Sequence, residues 1–143
     1  MKWWMRIVGT FYLLEGVGLT AAAIADPAQF AAIWATSEAG ALDAIAVRGI
    51  LVAGMPGVLT WVLLGSMLWL LSRAPAKARL LIITAVAWEL VAWLPLDVIA
   101  LFNGFEAPRA AALIATHLLI AISGLVLLRR MPAPSPSGDF QGS

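Results

Sequence analysis

The residues with chemistry to offer are few, and they stand in unexpected company. Glu15, Arg48, Glu89, Asp97 and His117 are each set in or beside a long apolar run. A charged side chain inside hydrocarbon costs a few kcal/mol and is expected to face protein or a wet cavity. Glu89 and Asp97 lie eight residues apart, a rotation of about 80° on a helix, so the two carboxylates share one broad flank. Trp93 falls between them on the Glu89 stripe, and Pro95 frees a backbone carbonyl and can kink the helix. Tyr12 lies one turn from Glu15, where its hydroxyl could donate to that carboxyl. His117, Ala121 and Gly124 recur at helical spacing, which places the imidazole on a stripe of small residues.

By depth, Glu15 and Glu89 fall near the middle of their runs, and Asp97, His117 and Arg48 nearer the outer end. The expectation is a polar-lined pocket entered from that end, with Glu15, Tyr12, Arg48, Glu89, Trp93, Asp97 and His117 as its ligand-binding residues. Three chemistries fit such a set. The first is capture of a small hydrophobic molecule, aromatic or quinone-like, by its polar end. The second is interhelical hydrogen bonding with no ligand, Asp97 with Arg48 as an ion pair included. The third is proton chemistry, in an enzyme or proton-coupled carrier. There, Glu15 and Glu89 would share a proton, since like charges in low dielectric cannot both ionise. A metal centre has weak support, because the one His is not part of a Glu-x-x-His pair. Nothing marks Ser66 or Ser123 as an activated nucleophile, and neither a phosphate loop nor a dinucleotide fingerprint is present. No cofactor is specified.

These residues need elements to hold them, and the composition names the kind. Of 143 residues, 62% are apolar and only 12% charged, with a mean hydropathy of +0.94. A soluble domain is nearer half apolar and a quarter charged. Runs over about 4–25, 50–71, 80–101 and 110–128 are each long enough to cross a bilayer. The fold expected is an all-α, integral membrane, antiparallel four-helix bundle over residues 1–130. A Pro/Ser-rich tail, 131–143, is expected to be disordered. There is no Cys, and a net charge of +1 does not suggest nucleic acid.

The basic residues are sorted by side. Lys2, Arg6, Arg73, Lys77, Arg79, Arg129 and Arg130 cluster at one end, against Arg48 and Arg109 at the other. The positive-inside rule then places both termini in the cytoplasm. The Ala-Ile-Ala before Asp26 imitates a signal-peptide cleavage site. The apolar stretch before it is too long for one and is interrupted by Glu15, so an uncleaved span is expected.

Between spans 1 and 2, Asp26-Pro27-Ala28-Gln29 reads as an N-cap, a Pro at the first helical position and a capping-box partner. It predicts a short interfacial helix carrying Phe30, Ile33 and Trp34, with Trp34 at headgroup level, ended near Gly40. Helix 2 is expected to start near Ala41. Its Gly49, Ala53 and Gly57 form a small-xxx-small seam that would admit a second copy or a larger complex. Gly54-Met55-Pro56-Gly57 predicts a kink. Asn103-Gly104 predicts a turn and Pro108 the start of helix 4.

The opening Met1-Lys-Trp-Trp-Met-Arg-Ile-Val-Gly with Phe11-Tyr12 resembles the start of BphX-like proteins. So does the later pattern of Glu89, Asp97, Asn103-Gly104-Phe105-Glu106, then His117 with Gly124. The resemblance covers residues 1–130. It implies a small four-helix protein of the bacterial inner membrane, related more distantly to the DoxX-like group, whose members include a quinone-linked oxidoreductase subunit. It implies no particular reaction.

Overall fold

Long apolar runs become long helices because a span must satisfy its backbone within itself. The computed structural model describes residues 1–34, 42–104 and 107–131, with Ala76 described by its backbone alone. The expectations at Gly40, Ala41, Phe105-Glu106 and the tail beyond Met131 lie outside the described residues. Span 1 is helix α1, Lys2–Ala25, and α2, Pro27–Trp34, follows after one residue. Span 2 is α3, Ala44–Leu71. A 3₁₀ turn, Pro75–Ala78, leads into span 3, which runs as α4 (Arg79–Trp88), a π turn (Glu89–Trp93) and α5 (Leu94–Phe102). Span 4 is α6, Ala107–Arg130. All four spans are long and apolar enough to cross a membrane, and the chain is an all-α four-helix bundle.

The punctuation works as local chemistry dictates. Asp26 Oδ1 accepts from the Gln29 N–H at 2.9 Å and opens α2. Asp43 Oδ1 accepts from the Ala46 N–H at 2.7 Å, so the cap of span 2 is Asp43 and its first helical residue Ala44. Gly104, with φ of 83°, makes the turn between spans 3 and 4, a conformation that suits a residue without Cβ.

The Gly54-Met55-Pro56-Gly57 cluster, where the sequence predicts a kink, falls within α3, which continues through Pro56. Helix α2 also packs onto the spans. Phe30 is completely buried and packs with Ala23 of span 1 and Val58 of span 2. Trp34 turns toward span 3, beside Trp93 and Leu96.

Spans 1 and 2 meet over glycines. A Cβ on Gly65 would stand 2.8 Å from the Gly9 carbonyl oxygen, and one on Gly16 would stand 2.7 Å from Val62 Cγ2. Such contact is possible only where no side chain holds the backbones apart. The Gly49/Ala53/Gly57 seam is split instead. Gly49 and Ala53 are exposed, while a Cβ on Gly57 would lie 3.3 Å from the Trp93 ring of the same chain. The main core gathers Met5, Val8, Tyr12, Leu64, Leu68, Ile82 and Val86 between the spans.

Candidate functional site

The site begins at the π turn. The Leu94 N–H bonds to the Glu89 carbonyl, five residues back, and Pro95 has no N–H with which to restore the α pattern. A π turn takes one residue more per turn, so it reduces the rotation between Glu89 and Asp97. It draws Glu89, Trp93 and Asp97 toward a single face. All three are buried.

On that face a chain of polar groups links three spans. Tyr12 of α1 donates its hydroxyl proton to Glu89 Oε1. His117 of α6 bonds through Nδ1 to Glu89 Oε2. Its Nε2 lies 3.3 Å from Asp97 Oδ2, within ion-pairing range but out of line for a hydrogen bond. Glu89 has one partner on each oxygen, Tyr12 on Oε1 and His117 on Oε2. The imidazole is thus flanked by carboxylates on both nitrogens. A partner on Nδ1 fixes the ring and leaves Nε2 to act on whatever approaches Asp97.

Aromatic rings enclose this chain. Trp61 of α3 stacks on Trp93 with centroids 4.1 Å apart and planes 25° from parallel. His117 lies nearly parallel to both, at 6.1 Å from Trp93 and 6.5 Å from Trp61. Two cavities adjoin Trp93. One, of about 340 Å³, is lined by Trp34, Trp93, Leu96, Asp97, Ile99 and Leu113 among others. The second, of about 370 Å³, is bounded by Trp34, Gly57, Trp88, Trp93 and Leu96. Trp34, Trp93 and Leu96 line both. The indole Nε1 of Trp93 and the Oδ2 of Asp97 are buried without a hydrogen-bond partner.

Of the residues singled out from the sequence, Tyr12, Glu89, Trp93, Asp97 and His117 come together. Glu15 and Arg48 do not. Both are exposed, on faces that the bundle leaves uncovered. The Tyr12 hydroxyl is therefore spent on Glu89 and not on Glu15, and Asp97 pairs with His117 and not with Arg48. Glu15 cannot share a proton with Glu89, whose two oxygens are already engaged by Tyr12 and His117. Trp34 and Trp61 were missed. Interfacial Trp placement hid the first, and its sequence stripe gave the second no distinguishing mark. Ser66 and Ser123 donate to carbonyls of their own helix, as membrane serines commonly do. Among the described residues, no group of three or more His, Asp or Glu is arranged to hold a metal ion. No family model, curated protein or solved structure matches this chain, so the geometry of the site alone must carry its reading.

Proposed function

We propose that this is a small membrane protein that binds a small hydrophobic molecule, aromatic or quinone-like in shape, in the cavity beside Trp93 and Asp97. One observation carries the reading: a buried carboxylate, Asp97, whose Oδ2 has His117 as an ion-pair neighbour but makes no hydrogen bond, stands on the wall of a 340 Å³ cavity whose other walls are indoles and aliphatic side chains together with Asn103. Ligand pockets have this character, mostly apolar with a few fixed polar groups that set orientation. The cavity lies toward the end bearing Asn103, opposite the basic end, so the positive-inside rule makes it open to the outer leaflet. On this reading both termini are cytoplasmic, and the BphX-like resemblance adds that the membrane would be a bacterial inner membrane. The test is extraction and mass spectrometry of purified protein for a co-purifying lipid-soluble compound. Wild type and Glu15→Gln should carry it, and Trp93→Leu and Trp34→Leu should lose it. Retention in both tryptophan variants would refute the site.

A second reading rests on the chain from Tyr12 through Glu89 and His117 to Asp97, which would let an enzyme or proton-coupled carrier move a proton between the cavity and Glu89. Infrared difference spectra in lipid decide it. A carboxyl band that titrates between about pH 5 and 8 and disappears in Asp97→Asn supports the relay. A band that does not change sets it aside. A purely structural role as an accessory subunit would use the exposed Gly49 and Ala53. It predicts that Ala53→Leu abolishes association in native membranes, as read by crosslinking.

A further inference from the structure

We propose that the ligand's polar end is a hydroxyl. On this inference the site selects lipophilic alcohols and phenols over ketones, quinones and ethers of the same shape. It rests on the binding reading above and sharpens it, because Glu89 and His117 are committed to one another and to their neighbours, while the indole N–H groups of Trp61 and Trp88, also without a partner, do not line this cavity. Glu89 has one partner on each oxygen, and both nitrogens of His117 face carboxylates. Two groups on the cavity wall keep a buried atom that makes no hydrogen bond: the Asp97 carboxylate, whose Oδ2 lies 3.3 Å from His117 Nε2, and the Trp93 indole N–H. Both residues are less than a tenth exposed.

The two groups are complementary. An ionised carboxylate can only accept and an indole can only donate. Asp97 and Trp93 are four residues apart on one helix face, which sets their Cβ atoms about 5–6 Å apart. A single oxygen placed against both could bond to each at an ordinary length, about 2.7–3.0 Å. A hydroxyl donates and accepts through one oxygen, so it completes both. A carbonyl only accepts. It would serve Trp93 and turn its lone pairs against Asp97. An ether has the same defect, and an ammonium would leave the indole unpaired. The protonation of Asp97 does not reverse this. A proton on Oδ2 would be directed at His117 Nε2, 3.3 Å away, and the other oxygen would still be an acceptor.

The rest of the cavity describes the body of the molecule. Trp34 and Trp93 offer ring faces, and Leu96, Ile99 and Leu113 offer aliphatic contact. About 340 Å³ is at the small end for ligand pockets and suits a bicyclic aromatic better than a long isoprenoid.

The test uses the full chain in lipid nanodiscs with tritiated 2-naphthol, corrected for partitioning into empty discs. Saturable binding is expected. Unlabelled 2-methoxynaphthalene and 1,4-naphthoquinone should compete at least about tenfold less well than unlabelled 2-naphthol, because each leaves the carboxylate unpaired. Asp97→Asn can turn an amide N–H to the ligand and should shrink that gap to about threefold or less. Should this variant fail to fold, the three probes on wild type decide alone. If the ether or the quinone competes as well as 2-naphthol, and Trp93→Leu abolishes binding of the probe, the inference is overturned while the binding reading stands. A gap unchanged in folded Asp97→Asn overturns it as well. No saturable binding of 2-naphthol removes the inference, and it leaves the broader reading to be decided by the co-purified compound.

Discussion

Glu89 and Glu15 are the same side chain near the middle of a span, and their surroundings separate them. Glu89 is fully buried, with Tyr12 and His117 on its two oxygens, and Glu15 is exposed. Replacing Glu89 by Leu deletes the partner of two other buried groups at once. Each stranded group costs about 1–3 kcal/mol, and loss of one member of a buried charged pair costs about 3–5 kcal/mol. Glu15→Leu instead removes a charge from a face that lipid would cover, which relieves up to about 3 kcal/mol. Thermal unfolding in micelles should therefore show a large fall for Glu89→Leu and none for Glu15→Leu. Equal falls would mean that the outward face of span 1 is covered by something in the membrane. The sequence marked both residues as costly, and it marked His117 and Asp97 for the same reason. It could not say which way each pointed. Tyr12 and Glu15 are three residues apart and share a face by spacing, yet the edge of the bundle passes between them. Only the packing of neighbouring helices sets that edge.

At the scale of the element, helix length and hydropathy made the four spans legible, because a bilayer leaves the chain no other regular way to cross. Helix contacts were less so. The Gly49/Ala53/Gly57 spacing has the usual small-residue period, but the close approach of spans 1 and 2 uses Gly9, Gly16 and Gly65, whose partners lie over forty residues away. The π turn was also hidden. Pro95 announced a disturbance, and the structure answers it with a wider turn over Glu89–Trp93 that aligns the polar residues. The glycine contact makes a sharp prediction. Gly65→Ala would place a methyl 2.8 Å from the Gly9 carbonyl oxygen and 3.0 Å from the Leu13 backbone nitrogen. Backbone atoms cannot swing aside, so overpacking should cost about 1–3 kcal/mol. Gly18→Ala, with nothing within 4 Å, should be neutral or gain up to about 1 kcal/mol from helix propensity. The pair is compared by unfolding midpoints in one detergent. A Gly65→Ala protein as stable as wild type would mean that the helices can separate freely.

Across the whole molecule the two ends differ in kind. At the basic end the spans are tied by side chains: Trp4 Nε1 donates to Ser123 Oγ at 2.8 Å, and Trp69 Nε1 donates to Thr10 Oγ1 at 2.9 Å. The Arg6 guanidinium lies 5.1 Å from the Trp69 ring centroid, and its Nε donates to Ser72 Oγ. A cation on an indole at the end of a span is the arrangement that anchors helices at a headgroup layer. The opposite end carries the two cavities beside Trp93 and helix α2, whose Phe30 fills the space between spans 1 and 2. A further cavity of about 550 Å³ lies at the basic end between spans 2 and 3, lined by Leu64, Met67, Lys77 and Leu81 among others. If the basic end is cytoplasmic, the proposed ligand would reach Asp97 from the outer leaflet. If the bundle is inverted, it would have to come from inside the cell, and the supply of such molecules would be entirely different. The chain lacks Cys, so single cysteines report the answer without background. Gln29→Cys on α2 and Lys77→Cys in the short turn before span 3 are both at exposed positions. An impermeant maleimide added to intact spheroplasts should label Gln29→Cys at once and Lys77→Cys only after the membrane is opened. The reverse pattern would invert the bundle and turn the cavity mouth inward. Labelling of both without permeabilisation would mean that the chain inserts in two orientations, and a cavity read from one side could not then be its single working state.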